Sequence, residues 1–419
     1  MSSLAERLYE ENIRPLPALF RCGRGFVAAL AAGKPYGNAA QLLPLADPFV
    51  RAILRAAGTD ETFVAGAGSD LEKFRAFCAA AEDMRGSALP RECEMLFWRA
   101  LDCDLPLDAV HADEIWEKAA RRLAAEDLTP AALLRKCGVT AAIAPADPAD
   151  DLADFAASAE ITARPVFCPD ALLSLDQKAL AALGEREEIV ISDLDGLSAA
   201  LDRALDRFAA RGCRAAAHTV FPVAFSRPDA YHADLILKKI LTGAEISNGE
   251  RALFAAQLWR VLGAGYARRG MVLELPVRTA ASLAALSPLW RYLTESGCAL
   301  RAALYLSEPE AIAAAVAIGG EYPVPAGGEP PFAYGLVAGS PTQTRALLAA
   351  FANAAPLARF AGVFPDLSLP ALPTAPELFC RTLCDLFAEW TEHGEMKSED
   401  AAPLAERVAY RNAADLFGI

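Results

Sequence analysis

The sequence predicts an α/β fold, a (β/α)8 barrel with a helical insertion after its first strand. After residue 138, short β-like runs alternate with longer helical runs, which is typical of a parallel sheet whose strands are joined by crossover helices. Eight strands can be assigned, the number that such a barrel requires. A length of 419 residues suits one barrel with insertions, so we expect a single distorted barrel domain over residues 1–419.

One predicted strand precedes the insertion and seven follow it. The expected strands are 18–22, 139–144, 162–167, 214–218, 271–276, 300–305, 332–337 and 360–364. Helical runs between the later strands cover 195–212, 249–270, 309–320 and 342–354. In barrels of this kind the functional residues lie where the strands end and the following loops begin.

Residues 33–134 are predicted to form the helical insertion. The segments DPFVRAILRAAG, SDLEKFRAFCAAAEDM, ECEMLFWRALD and DEIWEKAARRLAAE each place apolar residues three and four positions apart. This spacing gives a helix one apolar face. Ser69 and Asp70 can cap the second of these helices, because a side-chain oxygen there can accept a hydrogen bond from a free backbone amide.

Composition and charge exclude several classes of protein. A hydrophobic fraction of 54% with 22% charged residues predicts a sizeable core. A net charge of −14 argues against a nucleic-acid partner, because phosphate binding needs clustered Lys and Arg. The N-terminal segment is charged throughout, so we expect no signal peptide. No apolar run reaches about 18 residues, so we expect no membrane partner. We expect a cytoplasmic protein, and a homo-oligomer remains open.

The ten cysteines are dispersed without a C-x-x-C pair, which predicts reduced thiols. Cys380 and Cys384 lie one helical turn apart. We interpret them as two buried small side chains on one helix face, and the alternative is a shared metal ligand pair.

Two long blocks resemble the uronate isomerase family, the sugar-acid isomerase branch of the metal-dependent amidohydrolase barrels. The clearest run is GVFPDLSLPALPTAPELFCRTLCDLFAEWTEHGE followed by LAERVAYRNAADLFG, and TFVAGAGSDLEKFRAF, HADEIWEKAARRLA and FCPDALLSLD are also similar. The resemblance implies a TIM-type barrel of the metal-dependent hydrolase kind. It also implies conversion of D-glucuronate or D-galacturonate to the keto-sugar acid. In that chemistry a proton moves between adjacent carbons while a divalent metal stabilises the developing oxyanion.

The positions that correspond to the family's metal ligands are largely substituted. The family's His-x-His pair at the end of the first strand corresponds to residues 21–24, Arg-Cys-Gly-Arg, and its later strand-end histidine corresponds to Pro276. One histidine survives as His218 and one aspartate as Asp366. Because a catalytic divalent site normally has about three protein ligands, we expect no metal cofactor. Zinc or manganese would bind only at a rebuilt site, with His218 and Asp366 as the remaining candidate ligands.

Strand alternation suggests a further set of residues. Glu274 and Arg278 share the parity of the family's inward histidine, so Glu274 is predicted to point into the barrel. An unpaired carboxylate there would be costly, which predicts a partner such as Arg214. Alternatively Glu274 has a raised pKa and transfers a proton. Arg214 and Arg278 are also the candidate contacts for a substrate carboxylate.

Three functions remain open from the sequence. The first is a working uronate isomerase. The second is a family member that has lost the isomerase chemistry, a pseudoenzyme that binds a small sugar acid or a protein partner. The third is a metal-independent enzyme that uses His218, Asp366 and Glu274 as catalytic residues. We favour the second, because each lost ligand removes transition-state stabilisation on the order of several kcal/mol.

Overall fold

Eight parallel strands follow one another in chain order in one sheet that curves into a nearly closed barrel, as the computed structural model of the chain shows. The structure describes residues 3–155, 161–219, 225, 227, 229–298, 300–324, 330–337, 339–365 and 370–419. All eight predicted strands are confirmed. They are β1 (Ala18–Arg21), β2 (Val139–Ala146), β3 (Thr162–Phe167), β4 (Ala215–Ala217), β5 (Val272–Val277), β6 (Arg301–Leu306), β7 (Phe332–Val337) and β8 (Phe360–Phe364).

Helices precede, interrupt and follow the strands. The described α-helices are α1 (Ser3–Arg7), α2 (Arg24–Ala32), α3 (Pro48–Ala56), α4 (Glu61–Val64), α5 (Asp70–Asp83), α6 (Ala88–Leu101), α7 (Ala112–Ala125), α8 (Pro130–Lys136), α9 (Asp170–Leu173), α10 (Gln177–Glu187), α11 (Leu194–Ala210), α12 (Ala230–Leu241), α13 (Asn248–Arg269), α14 (Ala280–Glu295), α15 (Pro309–Gly319), α16 (Pro341–Ala354), α17 (Ala375–Glu392), α18 (Ser398–Glu406) and α19 (Asn412–Phe417). Two π-helical segments continue α1 and α18, Leu8–Ile13 and Arg407–Arg411. Within the described ranges, none of these helices is long and apolar enough to cross a membrane.

The helices between β1 and β2 bury a hydrophobic cluster of their own. Phe74, Phe77, Phe97 and Ile115 belong to this cluster, which is separate from the main core around the sheet. Helix α5 begins with a capping box, in which Ser69 is the N-cap and exchanges hydrogen bonds with Glu72. The limits of the insertion, 33–134, stay a prediction.

The crossover helices have clear sequence determinants of their ends. Helix α13 begins at a second capping box, formed by Ser247 and Glu250, and ends at Gly270, whose φ of 61° is a left-handed conformation that glycine adopts without strain. Its Tyr266 ring contacts Phe167 on β3, and both Trp259 and Tyr266 contact His218, which directly follows β4. The helix therefore covers the outer side of the strands that carry the predicted site residues.

Alternate residues of the strands face the interior of the barrel, and many of them are small. Ala215, Ala217, Ala303 and Ala361 belong to the interior hydrophobic cluster. Alanine leaves space in the middle of a barrel, and interiors pack to nearly crystalline density. Larger side chains fill that space: they are Arg21, Tyr305, Phe364 and, from the last helix, Phe417.

The barrel is not closed by hydrogen bonds between its first and last strands. Every consecutive pair from β1 to β8 is joined by a parallel ladder, whereas none joins β8 to β1 among the described residues. Helix α17 packs against β1, and the C-terminal segment after α18 packs against β8. These helices cover the gap, which we call the β8–β1 seam.

Candidate functional site

Glu274 lies in the middle of the barrel and has two partners. Its side chain is fully buried, and the guanidinium of Arg21 donates to both carboxylate oxygens, with Nη1 3.2 Å from Oε2. The hydroxyl of Tyr305 donates to Oε1 over 2.8 Å. The predicted inward direction of Glu274 is therefore confirmed. The carboxylate is paired with a guanidinium and accepts a further hydrogen bond, which is the arrangement that makes a buried ionisable group tolerable.

Arg21 is held on several sides. Its guanidinium carbon lies 4.7 Å from the centre of the Phe417 ring and 5.2 Å from that of Phe364, so aromatic faces surround the cation. Burial opposes the charge of Arg21, but Glu274 and Tyr305 outweigh that effect and raise the pKa of the guanidinium. Burial and the neighbouring Glu274 also raise the pKa of Tyr305 well above its ordinary value. Tyr305 is thus a neutral hydrogen-bond donor.

Two glycines make room for this cluster. A Cβ atom at Gly335 on β7 would lie 2.6 Å from the Tyr305 ring and 2.4 Å from the carbonyl oxygen of Gly362. Gly362 itself has a φ of 102°, at an irregularity in the pairing of β7 with β8. At Gly335 a side chain would displace the Tyr305 ring or the backbone of Gly362. At Gly362 the positive φ favours glycine.

The expected partnership of Glu274 with Arg214 is wrong. Arg214 is exposed and immediately precedes β4, where Ala215 and Ala217 are the residues that face inward. Its side chain lies beside Gly418, at the end of the barrel where the strands begin. The partner is Arg21, which the sequence places on β1, across the barrel from β5.

The two arginines proposed as substrate contacts lie at opposite ends of the barrel. Arg214 is level with the start of β5, since its carbonyl accepts from Val272, and Arg278 directly follows the end of β5. Seven residues of parallel strand separate these levels, about 23 Å at 3.3 Å per residue. One sugar acid cannot contact both. Arg278 is exposed at the C-terminal end of the strands, the end that carries function in such barrels.

His218 is buried on the outer side of the sheet. Its ring lies 4.5 Å from that of Trp259, and Nε2 is 2.8 Å from the hydroxyl of Tyr266, both on α13. Nδ1 has no hydrogen-bond partner within the described part of the chain. Burial lowers the pKa of His218 to about 3, so the imidazole is neutral. The structure thus separates His218 from Glu274, which faces the interior.

Polar contacts at the ends of β1 to β4 connect the loops to one another. Asp170, at the start of α9, accepts from the backbone amide of Thr219 at 3.1 Å and from its hydroxyl. Arg24 contacts Asp150 and Asp154 at 3.3 and 2.7 Å. These carboxylates are engaged in holding the loops together.

The candidate metal donors do not converge among the described residues. Within these ranges no group of three or more His, Cys, Asp or Glu could hold an ion. The donors that the sequence singled out diverge, because Glu274 is bound by Arg21 inside the barrel and His218 faces α13 outside it. The last candidate, Asp366, lies outside the described residues, so its role as a ligand, base or helix cap stays a prediction.

The fold belongs to the class of eight-stranded α/β barrels. The uronate isomerase of Thermotoga maritima has a TM-score of 0.86 at 22% identity over 100% of this chain and 98% of its own. The glucuronate isomerase of Caulobacter crescentus has a TM-score of 0.85 at 17% identity over 99% and 94%. At these identities the structures show the shared fold.

Sequence comparison assigns the family. The model of the glucuronate isomerase family matches residues 1–286, and the chain belongs to that family. The uronate isomerase of Vibrio vulnificus is 29% identical over 65% of this chain and 60% of its own, so that match spans less than two thirds of the relative. The uronate isomerase of Salmonella arizonae is 26% identical over 100% of this chain and 97% of its own.

Sequence reasoning missed Arg21 and Tyr305. Both were available by the same alternation that placed Glu274, since Arg21 ends a strand in which Leu19 faces inward and Tyr305 follows Ala303 by two residues. What alternation cannot supply is which strands face each other across a closed sheet.

Removing one member of the buried pair should cost far more than removing both. We expect Arg21→Met to lower the free energy of unfolding by about 3 to 5 kcal/mol, because Glu274 keeps its charge without a counter-ion. The double variant R21M/E274L should lose less than R21M alone. Urea unfolding followed by circular dichroism measures both changes. Arg14→Met is the matched control, since its ion pair with Glu10 is exposed and should contribute less than about 1 kcal/mol. Additive losses in the double variant would rule out a coupled pair.

His218 should make the protein acid-sensitive. The folded pKa of about 3 lies below the ordinary 6.5, so the unfolded state binds more protons between these values and stability is lost as pH falls through them. From pH 7 to pH 5 this loss is about 2 kcal/mol. The variant H218L/Y266F, which removes both hydrogen-bond partners, should lack it, whereas the exposed-site control His232→Gln should retain it. Parallel stability-against-pH curves for wild type and H218L/Y266F would contradict this assignment.

Proposed function

We propose that this member of the glucuronate isomerase family has reduced or lost the metal-assisted isomerisation and binds a sugar acid at the mouth of its barrel. The main support for the proposal is the Arg21–Glu274 ion pair. It places a cation that belongs to the protein itself, the Arg21 guanidinium, inside the barrel. A guanidinium is permanently charged and directs five donors, so a carboxylate that it binds is a poor ligand for a second cation.

The chemistry of the family reaction explains why the Arg21–Glu274 ion pair matters for activity. Moving a proton between adjacent sugar carbons needs a base that reaches the substrate and a charge that stabilises the enediol-like oxyanion. Glu274 is fully buried and has both carboxylate oxygens engaged, and His218 faces α13. Neither side chain is placed to take a proton from a ligand at the mouth.

The binding part of the proposal depends on charge at the C-terminal ends of the strands. Arg278 is an exposed cation directly after β5, and a guanidinium binds a carboxylate through paired charge-assisted hydrogen bonds. The net charge of −14 makes such local cations, rather than a broad positive field, the means of attracting an acid. A cytoplasmic location without nucleic-acid or membrane partners remains part of this proposal.

A metal-independent enzyme is the second candidate, and the contact of Tyr305 with Glu274 favours it. A neutral phenol that donates to a carboxylate over 2.8 Å is a proton-transfer pair if substrate reaches it. That function requires the interior to open, since the Glu274 side chain has no exposed surface.

An isomerase assay with defined metal content separates these possibilities. We expect purified protein to convert neither D-glucuronate nor D-galacturonate at rates comparable with an active uronate isomerase assayed in parallel. Added zinc or manganese should not change this, and elemental analysis should find less than stoichiometric metal. Stoichiometric metal with metal-dependent turnover would overturn the proposed loss. Turnover that persists in EDTA and disappears in Tyr305→Phe would instead support the second candidate.

Sugar-acid binding can be tested separately with two arginines at opposite ends of the barrel. Isothermal titration with D-glucuronate should show at least a tenfold weaker Kd for Arg278→Ala, because the variant lacks a charge-assisted contact. Arg214→Ala is the matched control and should change Kd by less than twofold, since Arg214 lies about 23 Å away along the strands. Equal effects of the two substitutions would contradict a site at the mouth.

A further inference from the structure

The β8–β1 seam contains a cavity that runs from the start of β1, at Ala18, to the segments after β7 and β8, at Gly339 and Pro365. Its volume is ≈ 350 Å³, which lies within the range of small-molecule sites. The cavity extends along β1 and β8 and under α17, and it reaches α6 of the segment between β1 and β2. It exists because β1 and β8 share no ladder among the described residues.

The walls of the seam cavity are mainly apolar. Leu16, Phe20, Leu378, Phe379 and Val408 line it from β1, the segment before it, α17 and the C-terminal π-helical segment. Such walls favour a ligand with a hydrocarbon body, because removing apolar surface from water is favourable. A ligand of this kind differs from a sugar acid, which presents hydroxyl groups on every side.

One face of α6 contributes polar groups to the cavity. Ala88, Glu92 and Arg99 line the cavity at spacings of four and seven residues, which places them on the same side of the helix. Arg99 is committed elsewhere, because its Nε and Nη2 atoms contact the two carboxylate oxygens of Glu377 at 2.8 and 2.7 Å. Glu377 also accepts from Nε of Arg381 at 2.8 Å, so this carboxylate holds both guanidinium groups in place.

Two other cations that line the cavity are also paired. Arg21 is bound to Glu274, and Lys136 contacts Glu126 at 2.8 Å. Glu92 is different, since its carboxylate has no hydrogen bond or ion pair in the part of the chain that the structure describes. Glu92 is therefore a half-buried carboxylate without a partner, beside cations that are already held by other carboxylates.

We propose that the seam cavity binds a small, mainly apolar primary amine, whose ammonium group pairs with Glu92 and whose hydrocarbon body occupies the apolar walls. An ammonium supplies the charge and the three donors that the Glu92 carboxylate lacks. Burial raises the pKa of Glu92 to about 7, which is the cost that a cationic ligand would relieve. The inference does not depend on sugar-acid binding at the mouth.

Paired probes test this site on the full chain. We expect 2-phenylethylamine to bind by isothermal titration at least tenfold more tightly than 2-phenylethanol, which has nearly the same shape without the charge. Glu92→Gln should abolish that preference. Glu114→Gln, an exposed substitution on α7, is the matched control for general attraction of cations to an acidic protein and should leave it unchanged.

The outcomes are decisive in both directions. Ala88→Phe should block both probes, because its ring would fill the space beside Glu92. Equal affinity for the amine and the alcohol, an unchanged preference in E92Q, or no binding of either probe to wild type would overturn the proposal. The comparison of the two probes on wild type needs no variant, so it holds even if a substitution impairs folding.

Discussion

An ion pair inside the barrel determines how the surrounding strands are built. Arg21 on β1 and Glu274 on β5 meet across the interior, and Tyr305 on β6 completes the set of donors to the carboxylate. Two charges removed from water require close pairing and further hydrogen bonds, otherwise the desolvation cost exceeds the attraction between them. The carboxylate meets that requirement with donors from two side chains.

Several other features follow from accommodating this cluster. Several interior positions around it are alanines, and Gly335 has no side chain because the Tyr305 ring occupies that volume. The centre of the Phe417 ring, on the last helix, lies 4.7 Å from the guanidinium carbon of Arg21. This contact holds the last helix against the interior. Hydrophobic packing and the ion pair therefore depend on one another. The geometry also explains why kinship does not settle activity, since function depends on the site rather than the fold.

The sequence predicted the fold well because alternation of strands and helices is a local signal. All eight strands were placed, and the period of two along β5 correctly turned Glu274 inward. The expected pairing of Glu274 with Arg214 was wrong for a physical reason: β4 is three alanines, and a uniformly small strand carries no contrast that tells the inner face from the outer. The pairing of Arg21 with Glu274 was beyond local rules, because 253 residues separate the two and only closure of the sheet brings them together.

Crystals grown with excess zinc would test the central claim most directly. We expect no anomalous scattering peak within coordination distance of the Glu274 carboxylate, and an intact contact between that carboxylate and Arg21. An ordered zinc ion bound to Glu274, with Arg21 displaced, would show that the interior is a metal site. It would contradict the claim that Arg21 is the counter-ion of the Glu274 carboxylate.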